Sequence, residues 1–243
     1  DGVQLKWVAP TPFFLEFGSE LGRGANFPGT DRNGNGIGGG TFFVHVGDDI
    51  GASNSWRAGL SYLQTKAKNR NSGDGFFTAT DGSDAIGVFD GKSKTMMADF
   101  VWKWAPEGNA VRTNFKLQGE WLRSTREGDL VFDPAGANSL GSYRAAPSGG
   151  YLQAVWQFMP MWRVGLRAER LAPGQPDYGA SATLYEASSR NPSKTSLMLE
   201  LNPSEFSRLR LQLAQDRARP GAADQQVFLQ YQMSLGAHGA HSF

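Results

Sequence analysis

The chain has 243 residues, with 24 Lys or Arg against 23 Asp or Glu, a formal net charge of +1 and no Cys. Near-neutral charge argues against a nucleic-acid partner, which needs a dense basic patch, and the missing thiols exclude disulfides and cysteine-based metal or redox chemistry. No apolar run reaches the roughly 18 residues of a transmembrane helix, but this leaves membrane-spanning strands open, because half of each such strand is polar.

Taken in chain order, period-two alternation predicts eleven strands at 2–9, 12–21, 40–48, 55–66, 94–105, 111–123, 150–158, 162–171, 194–202, 206–217 and 225–236, and no helix. The pattern is plainest in 111–121, where Val111, Thr113, Phe115, Leu117, Gly119 and Trp121 interleave with Arg112, Asn114, Lys116, Gln118 and Glu120. One face suits an apolar surrounding and the other suits water. Nothing divides the chain, so a single all-β domain over 1–243 is expected.

The connections fall into two alternating kinds. Short ones carry turn chemistry, at Pro10 to Pro12, Asp48 to Ser55, Pro106 to Ala110, Met159 to Met161 and Asn202 to Glu205. The others, at 22–39, 67–93, 124–149, 172–193 and 218–224, are longer except for the last, polar and glycine-rich. Within 67–93, Phe76-Phe77-Thr78 and Ile86-Gly87-Val88-Phe89 flank Asp81-Gly82, the pattern of an extra hairpin above the sheet or of a loop folded inward. Trp7, Phe13, Trp56, Trp102, Trp104, Trp156, Phe158 and Trp162 all lie near short turns and would form one belt of amphipathic rings, unless they pack as the core of a sandwich. Short turns at one end, long loops at the other and an aromatic belt are the pattern of an antiparallel transmembrane β-barrel of the bacterial outer membrane. The first and last strands both run toward the short turns, so antiparallel closure needs at least one strand before Asp1. The expectation is therefore the C-terminal part of a larger barrel.

If the apolar parity meets lipid, the opposite parity lists the lumen: Lys6, Glu16, Glu20, His45, Arg57, Asp99, Lys103, Arg112, Lys116, Glu120, Arg163, Arg167, Glu169, Glu200, Arg208, Arg210 and Asp216. Charges at membrane depth are costly unless they face water or one another. They imply either a water-filled pore with a slight anion preference or an interior closed by ion pairs or a plug.

Other motifs carry less. Asp31, Asn33 and Asn35 alternate ahead of Gly36 as in the first half of a calcium loop, but Phe42 stands where the bidentate Glu belongs, and a plain Asn-Gly loop explains the same residues. His238 and His241 offer two ligands for zinc, with His45 the only other His; a strand-end role accounts for them equally. Gly34, Gly36 and Gly39 fit a dinucleotide fingerprint in spacing but open no helix. No nucleophile elbow, catalytic carboxylate pair or H-E-x-x-H appears, so no enzyme and no cofactor are expected.

The segments Trp102-Lys-Trp-Ala-Pro, Asn114-Phe-Lys-Leu-Gln-Gly-Glu, Trp156-Gln-Phe-Met-Pro-Met-Trp-Arg-Val-Gly-Leu-Arg, Pro203-Ser-Glu-Phe-Ser-Arg-Leu-Arg-Leu-Gln and Ser234-Leu-Gly-Ala-His-Gly-Ala-His-Ser-Phe resemble a family of proteobacterial porin-like outer-membrane proteins that end in SLGAHGAHxF. The resemblance runs over essentially the whole chain. It implies a longer barrel with further strands upstream, acting as a channel or uptake protein for small solutes, and supplies no substrate or catalytic residue. Outer-membrane lipid and the barrel assembly machinery are the expected partners, with the terminal Phe243 as assembly signal. Typical porin endings carry bulky apolar residues at alternate positions before that Phe; here the positions hold His241, Gly239 and Ala237.

Overall fold

The computed structural model describes residues 2–24, 37–71, 78–79, 87–133, 138–186, 190–219 and 221–234. In chain order they form β1 (Gly2–Val8), β2 (Phe14–Gly22), β3 (Gly39–Ile50), β4 (Asn54–Asn71), β5 (Thr78–Ala79), β6 (Gly87–Trp104), β7 (Asn114–Phe132), β8 (Ser139–Ala145), β9 (Ser148–Met159), β10 (Trp162–Ala172), β11 (Tyr185–Glu186), β12 (Ser193–Ser204), β13 (Ser207–Asp216) and β14 (Asp224–Met233). The only helical turns among the described residues are 3₁₀ turns at Pro106–Gly108 and Gly179–Ser181. Twelve strands make one antiparallel sheet in the order β1-β2-β3-β4-β6-β7-β9-β10-β12-β13-β14, with β8 also on β7; β5 and β11 pair separately.

Each main strand follows its predecessor as a hairpin, so connections alternate between the two ends of the sheet. Residues 9–13, 51–53, 105–113, 160–161 and 205–206 turn at one end, and the remaining connections join the strands at the other. The tightest turn, Pro160-Met161, has proline at its first central position and Met161 at φ 69°, the left-handed place that glycine normally takes in a type II turn.

Side chains separate by parity, and the register carries the separation from strand to strand. Trp56, Trp102, Leu117, Ala154, Leu166, Leu197, Leu213 and Val227 are successive register partners and form one unbroken apolar row. This apolar face is the open one: Leu60 is 60 % exposed, Leu152 55 % and Leu197 49 %. The other face is polar and on the whole more covered, with Gln157 and Glu200 buried, while Arg57, Lys103 and Glu120 stay exposed. A water-soluble sheet buries the opposite face.

The three longest strands depart from the expected boundaries. β4, β6 and β7 have 18, 18 and 19 residues, running well into segments that the alternation assigned to loops. Beyond Tyr62, Met96 and Trp121 the alternation persists but its chemistry swaps faces. The outer positions become Lys66, Lys92, Lys94, Arg123 and Glu127, and the inner ones become Ala67, Phe89 and Leu130. Phe89 thus belongs to β6, paired with Arg70 and Leu130, and is not the arm of a separate hairpin; Phe76, Phe77, Asp81 and Ile86 lie outside the described residues.

A small core sits on this inner face at the long-connection end. Ala67, Phe89 and Leu130 pack with Tyr143 and Ala145 of β8 and with Tyr178 and Tyr185 from the connection after β10. Leu130 is fully buried. β8 was not expected as a strand. It continues β9 beyond Pro147, whose lack of an N–H interrupts the ladder, while the Pro147 carbonyl still accepts from the Ser124 N–H at 2.9 Å. Reciprocal backbone bonds between Arg144 and Asp177, at 2.9 and 2.7 Å, fasten the later connection beside β8. Tyr178 and Tyr185 stack with centroids 4.7 Å apart, and burial raises the pKa of both hydroxyls, that of Tyr185 to about 12.

Candidate functional site

The polar face gathers nearly all the charged residues picked out by parity. One register row runs Glu16, His45, Gly59, Asp99, Glu120, Tyr151, Glu169, Lys194 and Asp216, and it is mainly acidic. Two residues closer to the short turns, the next row contains Arg57 and Arg167. The row after that pairs Lys103 with Lys116, and a further row holds Arg163, Glu200 and Arg210. A band of negative charge therefore borders a wider band of positive charge.

Within the acidic row, His45 sits between two carboxylates. Its Nδ1 is 2.9 Å from Glu16 Oε1 and its Nε2 3.9 Å from Asp99 Oδ2. Gly59 makes that second approach possible: a Cβ there would lie 2.1 Å from Asp99 Oδ2 and 2.5 Å from the His45 ring. The carboxylates lie against opposite ring nitrogens, an arrangement that orders the imidazole without converging on one point. Among the described residues no group of three or more His, Asp or Glu side chains can hold a metal ion.

Farther along, Tyr151 donates to Glu120 at 2.9 Å and lies under the Arg167 guanidinium, 3.7 Å from ring centroid to cation. Arg167 donates to Glu169 at 2.8 Å and to Gln153 at 3.2 Å. Lys194 reaches Asp216 at 3.4 Å and donates to Gln226 at 2.8 Å.

The basic band centres on Glu200, whose side chain is 3 % exposed. Arg210 donates to it through Nε at 2.9 Å, Asn202 donates at 3.0 Å, and Arg163 and Arg208 approach to 3.7 and 3.8 Å. Three guanidiniums around one carboxylate leave an excess of two positive charges. Lys103 and Lys116 oppose each other directly, and like charges so placed favour an anion between or beside them. Two recesses of about 380 and 360 Å³ open here, one bounded by Arg57, Asp99, Lys103 and Glu120, the other by Arg163, Arg167 and Arg210, with Lys116 lining both.

Lys6, at the sheet edge, lies 5.5 Å from the Phe43 ring centroid. Arg112 is the exception to the expected list: it is exposed in the turn before β7, because the strand starts at Asn114. Asp31, Asn33, Asn35, His238, His241 and Phe243 lie outside the described residues. The uncharged partners Tyr151, Gln153, Gln157 and Asn202 were missed, although strand parity alone would have placed the first three on this face. Asn202 has no such signal, since its role depends on the irregularity between Leu201 and Ser204.

No family model matches the chain. It is similar to an uncharacterized protein of Aquifex aeolicus (strain VF5), 27% identical over 264 aligned residues that cover 100% of this chain and 51% of that protein. The chain thus spans about half the length of this relative.

Proposed function

We propose that these strands form part of the wall of a bacterial outer-membrane β-barrel whose polar face lines a water-filled passage for small hydrophilic solutes or ions, with a weak preference for anions. The observation that carries this is the reversal of burial, with leucines such as Leu60, Leu152 and Leu197 exposed on one face while Gln157 and Glu200 are buried and most of the other charges partly covered on the opposite one. Lipid is the surrounding that makes such an arrangement favourable, and strands satisfy their backbone groups laterally, as a membrane demands. The belt of rings supports it. Trp102 donates to Asn54 at 3.2 Å and Trp156 to Thr113 at 3.3 Å, so each indole keeps a polar partner at the short-turn end while its ring stays on the apolar face. At the other end the swap to charged outer positions marks where lipid gives way to water. Strands of 18–19 residues extend well past the membrane, since about 9–11 residues cross a bilayer and the excess is roughly 7–10 residues. β1 and β14 both run toward the short turns, so antiparallel closure between them needs at least one intervening strand of opposite direction.

The test is single-channel conductance of the full-length protein in a planar bilayer under a salt gradient. Discrete steps with a reversal potential of anion-selective sign are expected; silence from inserted, folded protein would overturn the pore. A second reading, a plugged barrel serving as a receptor or scaffold, is favoured by one feature: Tyr178 and Tyr185, from the connection after β10, pack over the inner face at the long-connection end, in the core with Tyr143. A silent protein that conducts once 173–192 is replaced by a short Gly-Ser linker would establish that reading instead.

A further inference from the structure

We infer that the outer surface just beyond the apolar band binds a phosphate-bearing lipid, its acyl chain in a groove beside β3 and its phosphates on a platform of Lys66, Lys92, Lys94 and Arg123. The inference rests on the membrane reading above and adds to it a specific lipid and a specific place.

Lys66 and Lys92 are direct register partners, Lys94 follows Lys92 on the same face, and Arg123 on β7 lies opposite Met96, one place nearer the apolar band. All four are exposed. Like charges directly across a ladder repel. The nearest acid on that face, Glu127 opposite Lys92, is engaged by Arg144 at 3.3 Å. Among the described residues no ion pair occupies any of the four. Such a cluster calls for an external anion carrying more than one negative charge, and phosphate groups suit it.

The position identifies the bearer of those phosphates. The cluster begins where the outer apolar residues stop, immediately past Tyr62 and Met96, the depth at which lipid headgroups meet a membrane protein. Beside it the surface has a recess of about 400 Å³ with apolar walls of Leu21, Ile37, Phe42 and Tyr62 and with Lys66 on its rim. The recess exists because Gly40, at an outward position in register between Leu21 and Gln64, has no side chain. Tyr62 turns its hydroxyl toward the polar side, donating to Gln64 at 3.0 Å. An apolar groove ending at clustered lysines matches an amphiphile with an anionic head; a free anion has no use for the groove.

Two variants separate the halves of the site. In K66Q/K92Q/K94Q the platform loses its charge at exposed positions. Gly40→Leu fills the groove, and a Cβ at Gly40 meets nothing nearer than Leu21 Cδ2 at 3.4 Å, so the backbone tolerates it. The full-length protein is inserted into phosphatidylcholine vesicles with and without lipid A, and a membrane-impermeant amine reagent labels the lysines. Labelling of Lys66, Lys92 and Lys94 is expected to slow at least fivefold with lipid A and not with the same concentration of inorganic phosphate. Lipid A carried through detergent exchange should fall about tenfold in each variant. Insertion with equal labelling in both vesicles would overturn the lipid site and leave the membrane reading standing. Protection by inorganic phosphate alone would overturn it in favour of a free-anion site. Failure to insert into any vesicle would remove the membrane reading and the site with it.

Discussion

Replacing Leu199 by Arg puts the orientation of the sheet to a quantitative test. Leu199 lies on the apolar face in register between Val164 and Leu211, with Leu197 and Leu201 beside it, and is 42 % exposed. If water bathed that face, a charged residue at so open a position would change stability by no more than about 0.5 kcal/mol. At the middle of a bilayer it costs about 2–4 kcal/mol, falling to about 0–1 near the interface. The expected loss corresponds to a roughly 30- to 900-fold shift in the folding equilibrium, at about 1.4 kcal/mol per factor of ten. The assay is guanidinium unfolding of the full-length protein in vesicles, followed by tryptophan fluorescence. Thr195→Arg, on the same face but at the far edge of the band, serves as the depth control. A Leu199→Arg cost under about 0.5 kcal/mol, or one equal to that of the control, would refute lipid contact.

The remaining predictions concern charge, tyrosine and turn. Glu200→Gln leaves Arg163, Arg208 and Arg210, all partly exposed, without their shared carboxylate, so it should destabilise by about 1.5–3 kcal/mol and raise anion selectivity in bilayer recordings. Unchanged stability and selectivity would mean the cluster is idle. Burial raises the hydroxyl pKa values of Tyr178 and Tyr185, so the stabilisation they give is complete below the ordinary tyrosine range near 10 and is lost as pH rises through the raised values, about 12 for Tyr185. Tyrosinate absorbance should therefore show a late-titrating class, with protease cleavage in 173–192 appearing over the same interval. Titration of every tyrosine near pH 10 would contradict the packed core. Met161→Gly should stabilise the β9–β10 hairpin by about 1 kcal/mol by relieving its left-handed backbone, read as a higher denaturant midpoint; a lower midpoint would count against strain there.

What the sequence disclosed is unevenly distributed, for a physical reason. All eleven main strands and their turn ends were readable wherever the apolar parity faced one way, because alternation reports the environment of a face. Where β4, β6 and β7 pass beyond the apolar band, lysines such as Lys92 and Lys94 take the outer positions and Phe89 and Leu130 the inner. A reading anchored on apolar outer residues mistakes such segments for loop. β8 was lost for the same reason and because Pro147 cuts it from β9. Parity gave Glu200 and its arginines a common face, but their convergence depends on register, which the local pattern does not encode. Nor does it show that Gly59 is the opening through which His45 meets Asp99.

The register also fixes how the strands lean. The row that starts at Glu16, two residues from the short-turn end of β2, reaches Asp216, nine residues from that end of β13. That is a climb of 9 − 2 = 7 residues over eight strand-to-strand steps. With about 3.3 Å per residue and about 4.8 Å between strands, the slope is roughly 30°, near the lower edge of the tilts found in closed barrels. Charges that look like horizontal bands on an unrolled sheet thus wind as a ramp. In a passage of the kind proposed above, an ion would meet these acids and bases one after another, exchanging partners as it turns, rather than passing a single charged ring.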